Sequence, residues 1–445
     1  MEKDLISLVK DAGIVGAGGA GFPTHVKLNA KAEYVIVNGA ECEPLLRVDQ
    51  QLMAMESRKI LEGLKLIKEH VGAKYAVIAL KEKYKKAIKS FEDIIGEYEG
   101  ISLHKLQNFY PAGDEQIIVY EVTGRIVPEG GIPLNVGAIV SNVETIVNIY
   151  DAYYNNTPVT EKYVTVTGAV KSPKTLKLPI GLSIEEAINL AGGSYLEDYV
   201  VINGGPMMGK ITDIKNPITK TTKGLIVLPS DHSLVKSLTK DINQMLKEAK
   251  AACMHCSHCS EVCPRNLIGH RIYPDKMMRL ASYSDLCDES VTPVNAFLCC
   301  ECRLCEYACI MDLQPWKLHN SLKKTMGSNG IKNTCKNHPE NVHPFRSYKK
   351  YPVNKLINKI GLNSYDVEAP MTDIKVNAKS IAIPLNQHIG APATPVVQIG
   401  DKVFKGDLLG NIEDNKLGSN IHSSVNGIIK DIRNNIIIII IDWGM

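Results

Sequence analysis

Eight of the 12 cysteines stand in two runs of one spacing. Cys253, Cys256, Cys259 and Cys263 read C-x2-C-x2-C-x3-C, and Cys299, Cys302, Cys305 and Cys309 repeat the pattern. Thiolates so spaced are the ligands of paired [4Fe–4S] cubes, each cube taking three thiolates from one run and the last of the other. The crossing gives Cys253, Cys256, Cys259 and Cys309 to a first cube, and Cys299, Cys302, Cys305 and Cys263 to a second. The spacing has a geometric cause: three close thiolates wrap one tight turn, and the chain then departs carrying the fourth ligand to the neighbouring cube. Such a pair moves electrons one at a time.

Other uses of cysteine fit less well. Zinc ribbons take paired C-x2-C knuckles, not four-cysteine runs. A disulfide framework belongs to short secreted chains, whereas this one has 445 residues and no signal peptide. Pro264 follows the first run, while Ile310 stands where a proline would follow the second. Cys300 beside Cys299 leaves the first ligand of the second run open between them, and register favours Cys299. His255 and His258, between the ligands, read as exposed polar residues, with a metal-ligand role as the alternative. Cys287 and Cys335 read as free structural thiols.

A second chemical stretch is Gly16-Ala17-Gly18-Gly19-Ala20-Gly21-Phe22-Pro23, with Lys27 downstream. Glycines let backbone N–H groups approach a phosphate closely, and a lysine adds positive potential. The stretch lacks the Gly-Lys-Ser/Thr of a Walker loop, and a helix rather than a strand precedes it, so it is not a dinucleotide fingerprint. On its glycines alone it is equally a flexible loop.

The elements that must position these residues follow from periodicity. Leu5, Leu8, Val9 and Ala12 mark an amphipathic helix over 3–12, either packed on the first domain or serving as a detachable targeting helix for a protein shell. Strands at Tyr34–Val37, Tyr75–Leu80 and Ile101–Leu106 alternate with helices at about 50–70 and 83–97, which implies a parallel α/β sheet. Ligands of such sheets sit beyond the carboxyl ends of the strands. Asn38–Pro44 and Tyr110–Glu115 occupy such positions, and Ser141–Thr145 follows the apolar Val136–Val140. Three polar loops around one glycine loop read as a pocket. Next, strands Tyr163–Thr167, Thr175–Leu178 and Tyr199–Ile202 with a helix from Ser183 through Ala191 suggest a β-grasp module. Its loop Asn203–Gly209 carries Met207 and Met208, read as gap-filling core, and is placed on a path towards the first cube. A helix from about Asp231 to Ala252 leads into the cysteines, and residues 320–350 have the composition of an exposed linker. Short apolar runs between glycine turns over 374–441 read as an all-β sandwich or barrel, closed by six consecutive isoleucines, Ile436–Ile441, as a buried strand. A carrier arm needs a lysine at a hairpin tip, and the Ser423–Gly427 turn has none, so this module reads as structural or docking. The expectation is a multidomain α/β chain: residues 1–160 a parallel-sheet α/β domain, 161–230 the β-grasp module, 231–325 an α-helical two-cube insert, 326–373 a linker and 374–445 the barrel-sandwich domain.

Gly-x-Gly-Gly-x-Gly-Phe-Pro, Asn-x-x-Glu-x-Glu-Pro, Tyr-x-x-Gly-Asp-Glu and Asn-Val-Glu-Thr, in this order, resemble the flavin- and NADH-binding subunit of respiratory complex I. They are closer still to the C subunit of the Rnf-type electron transport complex, whose SLBB-like β-grasp and barrel-sandwich domains the later segments also resemble. In the Rnf protein the barrel-sandwich domain stands at the N-terminus. The C-terminal position here, with Glu41-Cys42-Glu43-Pro44, is similar to the family of cobalamin reductases of propanediol-utilisation microcompartments. The resemblance implies FMN held by Gly16, Gly18, Gly19, Lys27, Asn38, Glu41, Tyr110, Gly113 and Asn142, and NADH near Phe22, Glu43 and Glu115. Ala17 and Ala40 depart from the arginine and aspartate of complex I. Further implied are cobalamin as acceptor, a cobalamin adenosyltransferase and a microcompartment shell protein as partners, and a cytoplasmic location inside a microcompartment.

Composition narrows the classes. A net charge of +3 makes no case for nucleic acid, and no apolar run is long enough to span a bilayer. A flavin takes electrons in pairs and cubes accept them singly, so the expected activity is an NADH-dependent oxidoreductase that splits the pair. Three alternatives stand beside it: a soluble Rnf C-like protein feeding an amino-acid reductase such as proline reductase, the Rnf protein itself, and a non-catalytic iron–sulfur adaptor without flavin.

Overall fold

The structure is a computed structural model and describes residues 4–283 and 292–441. Cys287 lies outside these residues. The first domain is built on four parallel strands in the order Ile101–Leu106, Tyr75–Lys81, Tyr34–Gly39, Ala138–Asn142. Their apolar runs are unbroken because both faces are covered. Val35 and Val37 face a core shared with helices Val48–Met55, Ser57–Val71 and Val143–Asn155, while Ile36 faces helix Glu115–Thr123. Parallel strands end at one edge, and the three polar loops follow strands at that edge. The helix Leu5–Asp11 is capped by Asp4 and buries Leu5 and Val9 in the same core, so it packs on this domain.

The β-grasp module has five strands in the order Lys174–Pro179, Glu161–Gly168, Gly224–Pro229, Tyr199–Asn203, Lys210–Thr212. Ser183 and Glu186 form a capping box that starts its helix, Ile184–Leu190. The interior strand Gly224–Pro229 went unread in the sequence, because a short run apolar on both faces carries no period. The expected single helix over 231–252 is two, Ser233–Thr239 and Ile242–Ala252. Asp241 divides them: its side chain accepts from the N–H groups of Asn243 and Gln244, which starts the second helix. Ile242–Ala252 packs with Pro274–Tyr283 and Pro315–Ser328 around Met245, Met277, Met278 and Leu318, and this small core carries the cysteine loops.

Residues 326–373 are only partly a linker. Most side chains over 329–345 are exposed, but Tyr351–Pro352 pairs antiparallel with Phe109–Tyr110, and Val353, Leu356 and Ile357 enter a core shared with Tyr110 and Cys302. The segment straps the cysteine domain to the first domain. The C-terminal module has two sheets, one ordered Ser380–Pro384, Ile436–Ile441, Gly427–Arg433, Lys402–Val403 and one ordered Thr394–Pro395, Leu408–Asn411, Ile421–His422. The isoleucine strand is interior to its sheet, with Ile437 and Ile439 buried, so its backbone offers no open edge.

Lys220 joins three of these units. It is buried, and its Nζ donates to the carbonyls of Gly13 and Asn420, each at 2.6 Å. Burial pulls its pKa down to about 7, and the neighbouring His422 is pulled down to about 3 by burial and then by Lys220. Unfolded lysine titrates near about 10.4, so between the two values the unfolded chain holds more protons and stability rises with pH. Lys220→Met should remove that rise, which amounts to at most about 1.4 kcal/mol per pH unit. Thermal melts of the two proteins between pH 7 and 9 make the comparison; parallel curves would mean that Lys220 does not titrate in this window.

Candidate functional site

The glycine loop joins helix Leu5–Asp11 to helix Thr24–Leu28 and is pinned at its base. Gly16 N–H donates to the Phe22 carbonyl at 2.9 Å, and Ala17 N–H to Thr145 Oγ1 at 3.0 Å. Gly18, Gly19 and Ala20 are exposed, and their N–H groups donate to no acceptor among the described residues. Gly19 has φ +141, open to glycine and strained for other residues, with no atom within 4 Å of where a Cβ would stand. A Cβ on Gly18 would lie 3.2 Å from Asn142 Cβ, so the loop rests against the strand-end residue. Free backbone donors on an exposed glycine arch suit an anionic phosphate.

The strand-end loops meet beside this arch. Asn142 caps helix Val143–Asn155 and donates from Nδ2 to Asp49 Oδ2 at 3.0 Å. Glu41, buried, accepts from the N–H groups of Asp49 at 2.8 Å and Gln50 at 3.2 Å, and burial followed by the nearby Asp49 charge raises its pKa. Asn38 Nδ2 donates to the Gly113 carbonyl at 2.8 Å, and a Cβ on Gly113 would meet Asn38 Oδ1 and Cys42 Sγ, each at 3.2 Å. Lys27 Nζ donates to the Val140 carbonyl at 2.8 Å and to Glu115 Oε1 at 3.0 Å. Phe22 is half-buried and Glu115 exposed. Two buried polar atoms here, Asp49 Oδ1 and Ser141 Oγ, have no hydrogen-bond partner. An arch of free N–H groups with unpaired acceptors behind it fits a phosphate-bearing, hydroxylated ligand such as FMN.

Glu43 and Tyr110 face the β-grasp module and the cysteines. Tyr110 Oη donates to Glu43 Oε1 at 3.2 Å, and Glu43 Oε2 accepts from Met207 N–H at 2.9 Å. Gly205 must be glycine at this contact, since a Cβ there would stand 2.0 Å from Glu43 Oε2. Arg303, between two cysteines of the second run, donates to the carbonyls of Pro206 at 3.4 Å and Gly209 at 3.2 Å. Arg265, just past Cys263, donates to Asp114 Oδ2 at 2.8 Å. The Asn203–Gly209 loop therefore touches the second cysteine run, where the sequence reading aimed it at the first cube. Met207 is buried as expected, but Met208 is 51% exposed.

The thiols fall into two groups by crossing. Cys253, Cys256, Cys259 and Cys309 line one cavity with Asp275 and Met278; Cys263, Cys299, Cys302 and Cys305 line another with Cys300, Trp316 and His319. Among the described residues no three His, Cys, Asp or Glu side chains close on one ion's position. Each thiol group surrounds a wider space, as the corners of a cube require and a single tetrahedral zinc does not. The two loops share one backbone: His255 and Ser257 have φ of 50 and 64, Glu301 and Arg303 of 58 and 63. That match aligns Cys299 with Cys253 and Cys300 with Met254. Cys256 is exposed, whereas Cys263, Cys302 and Cys305 are buried. His258 is exposed, but His255 is half-buried with Nδ1 3.7 Å from Cys253 Sγ. Cys335 is a free thiol packed beside Cys263.

Sequence reading missed a charged floor under the glycine arch. Lys162 pairs with Glu144 and donates to the Ala17 carbonyl at 3.1 Å, while Lys223 pairs with Asp49. Burial pulls the Lys162 pKa down, and the Glu144 carboxylate opposes it. A signal for Lys162 existed: strand alternation places it on the face of Val164 and Val166, both buried. Nothing comparable marks Lys223, which precedes its strand.

Comparison with known proteins adds the family. The chain matches the Nuo51 FMN-binding domain over residues 9–151, the SLBB domain over 163–210, the 4Fe-4S dicluster domain over 252–314 and the RnfC barrel sandwich hybrid domain over 364–439. It is 41% identical over 429 residues to the cobalamin reductase PduS of Citrobacter freundii, covering 95% of this chain and 93% of that one. It is 40% identical over the same shares to PduS of Salmonella typhimurium (strain LT2). The RnfC-type component of the Na(+)-translocating ferredoxin:NAD(+) oxidoreductase complex of Acetobacterium woodii is 37% identical over 276 residues, 60% of this chain and 59% of that protein. With an FMN-binding domain, an SLBB module, a dicluster domain and a C-terminal barrel-sandwich domain, the chain is an oxidoreductase belonging to the family of the PduS cobalamin reductases.

Proposed function

We propose that this chain uses NADH to reduce the corrin cobalt of cobalamin in single-electron steps. FMN is assigned to Gly16, Gly18, Gly19, Lys27, Asn38, Glu41, Tyr110, Gly113 and Asn142, and NADH to Phe22, Glu115 and Glu43. Bound there, flavin would take a hydride and the two cubes would take electrons singly. Cys253, Cys256, Cys259 and Cys309 are assigned to one cube and Cys299, Cys302, Cys305 and Cys263 to the other. Phe22 and Glu115 are open to a ligand from solvent. Glu43 is engaged with Tyr110 and Met207, which leaves it the role of joining the flavin pocket to the cysteine domain.

One observation carries the reading. The second thiol group is tied to the flavin domain through Tyr110, Glu43, the Asn203–Gly209 loop and the Arg265–Asp114 pair, while the first reaches the surface at Cys256. A two-ended arrangement of this kind suits entry at the flavin and exit beside Cys256. The family relationship names cobalamin as acceptor and carries with it an adenosyltransferase, a shell protein and a microcompartment location. No helix of the described residues is long and apolar enough to cross a membrane.

The test is anaerobic purification with iron and flavin counts, then NADH-driven reduction of hydroxocobalamin. The expected protein carries one FMN and about eight irons and reduces the cobalt. Iron without flavin and without NADH oxidation would identify an adaptor. Full cofactor content with a dye reduced but cobalamin untouched would move the acceptor to another class.

A further inference from the structure

The charges around the two thiol groups differ. Arg303 is 8% exposed, and its guanidinium lies 4.5 Å from the centre of the Trp316 ring. Its hydrogen bonds go to the Pro206 and Gly209 carbonyls, and no carboxylate lies within ion-pair distance of it among the described residues. The other cations near this group are matched: Arg265 by Asp114, Lys323 by Glu301. The nearest uncommitted influence on Arg303 is Glu43, already bonded to Tyr110 and Met207. At the equivalent place in the first run stands Ser257, which donates to Asp275 Oδ2 at 3.0 Å, and no lysine or arginine lines that cavity. A buried cation with no anionic partner is costly unless an anion joins it.

We propose that Arg303 is the electrostatic partner of the cube held by Cys263, Cys299, Cys302 and Cys305, and raises its reduction potential. A cube on four thiolates is an anion, and it gains one further negative charge when it accepts one electron. The guanidinium stays protonated throughout, so no proton is exchanged, and in a low-dielectric site it favours the more negative state. Solvent exposure of Cys256 favours reduction at the other group by a separate route, which substitution at Arg303 leaves untouched.

The test is a dithionite titration with mediators, each cube followed by electron paramagnetic resonance. Cys256→Ala, which removes a ligand of the other cube, identifies the signals. Arg303→Gln keeps donors for the two carbonyls and loses the charge. It should make the second cube at least tenfold harder to reduce, a shift of about 59 mV for one electron. Arg303→Lys should retain most of the wild-type midpoint. Should Arg303→Gln lose iron, Arg303→Met and Arg303→Lys are read by the same titration on their retained cubes. An unchanged midpoint in an iron-replete Arg303→Gln, an equal shift in Arg303→Lys, or a shift confined to the first cube would each overturn the assignment.

Discussion

Cys256→Ala should halve the iron content and stop NADH-driven cobalt reduction while leaving flavin reduction by NADH intact. The cause is position. Cys256 is exposed, and its loop is rimmed by Met254 and Ile310, which are 66% and 59% exposed. The second thiol group and its ties to Tyr110 and Asp114 lie elsewhere, so losing one ligand removes a cube at the surface and spares the flavin side. The core of Met245, Met277, Met278 and Leu318 does not include the Cys256 side chain, so the domain should still fold. Iron per chain, rapid-mixing traces of flavin bleaching and cobalamin turnover make the measurement. Cobalt reduction at the wild-type rate in a protein with half its iron would reverse the proposed order of entry and exit.

Lys162→Met should cost the most stability, about 3–5 kcal/mol, the range for removing one partner of a buried pair. The side chains of Lys162 and Glu144 are 2% and 1% exposed, and Glu144 Oε1 also accepts from Tyr163 N–H at 3.1 Å. Without the lysine, a carboxylate stays buried with one backbone donor, and the Ala17 carbonyl loses its partner under the glycine arch. Flavin content should therefore fall with stability. Adding Glu144→Gln removes the stranded charge while keeping an acceptor for Tyr163, so the double variant should recover most of the loss. Denaturation midpoints of wild type, single and double variants form the cycle. A single variant as stable as wild type would show that the pair contributes nothing net, as some buried pairs do.

The cysteine runs were legible in the sequence because ligand spacing is local: the chain must turn within three residues, and the same left-handed positions recur in both loops. The parallel sheet was legible for a similar reason, since strands covered on both faces are continuous apolar runs such as Val35–Val37 and Ala76–Leu80. The glycine arch and the strand-end loops were found by residue type at their own positions. What the sequence could not supply was partnership at long range. Lys162 with Glu144, Lys223 with Asp49 and Lys220 with Gly13 and Asn420 join units far apart in the chain, and a lysine in a strand or loop reads as solvated until its neighbours are known. Whether the Asn203–Gly209 loop met the first or the second thiol group was likewise decided by packing, through Glu43 and Arg303. Local spacing fixed which residues could bind cofactors. Burial, which depends on every element at once, decided which charges hold those sites together and which end of the chain of thiols faces the flavin.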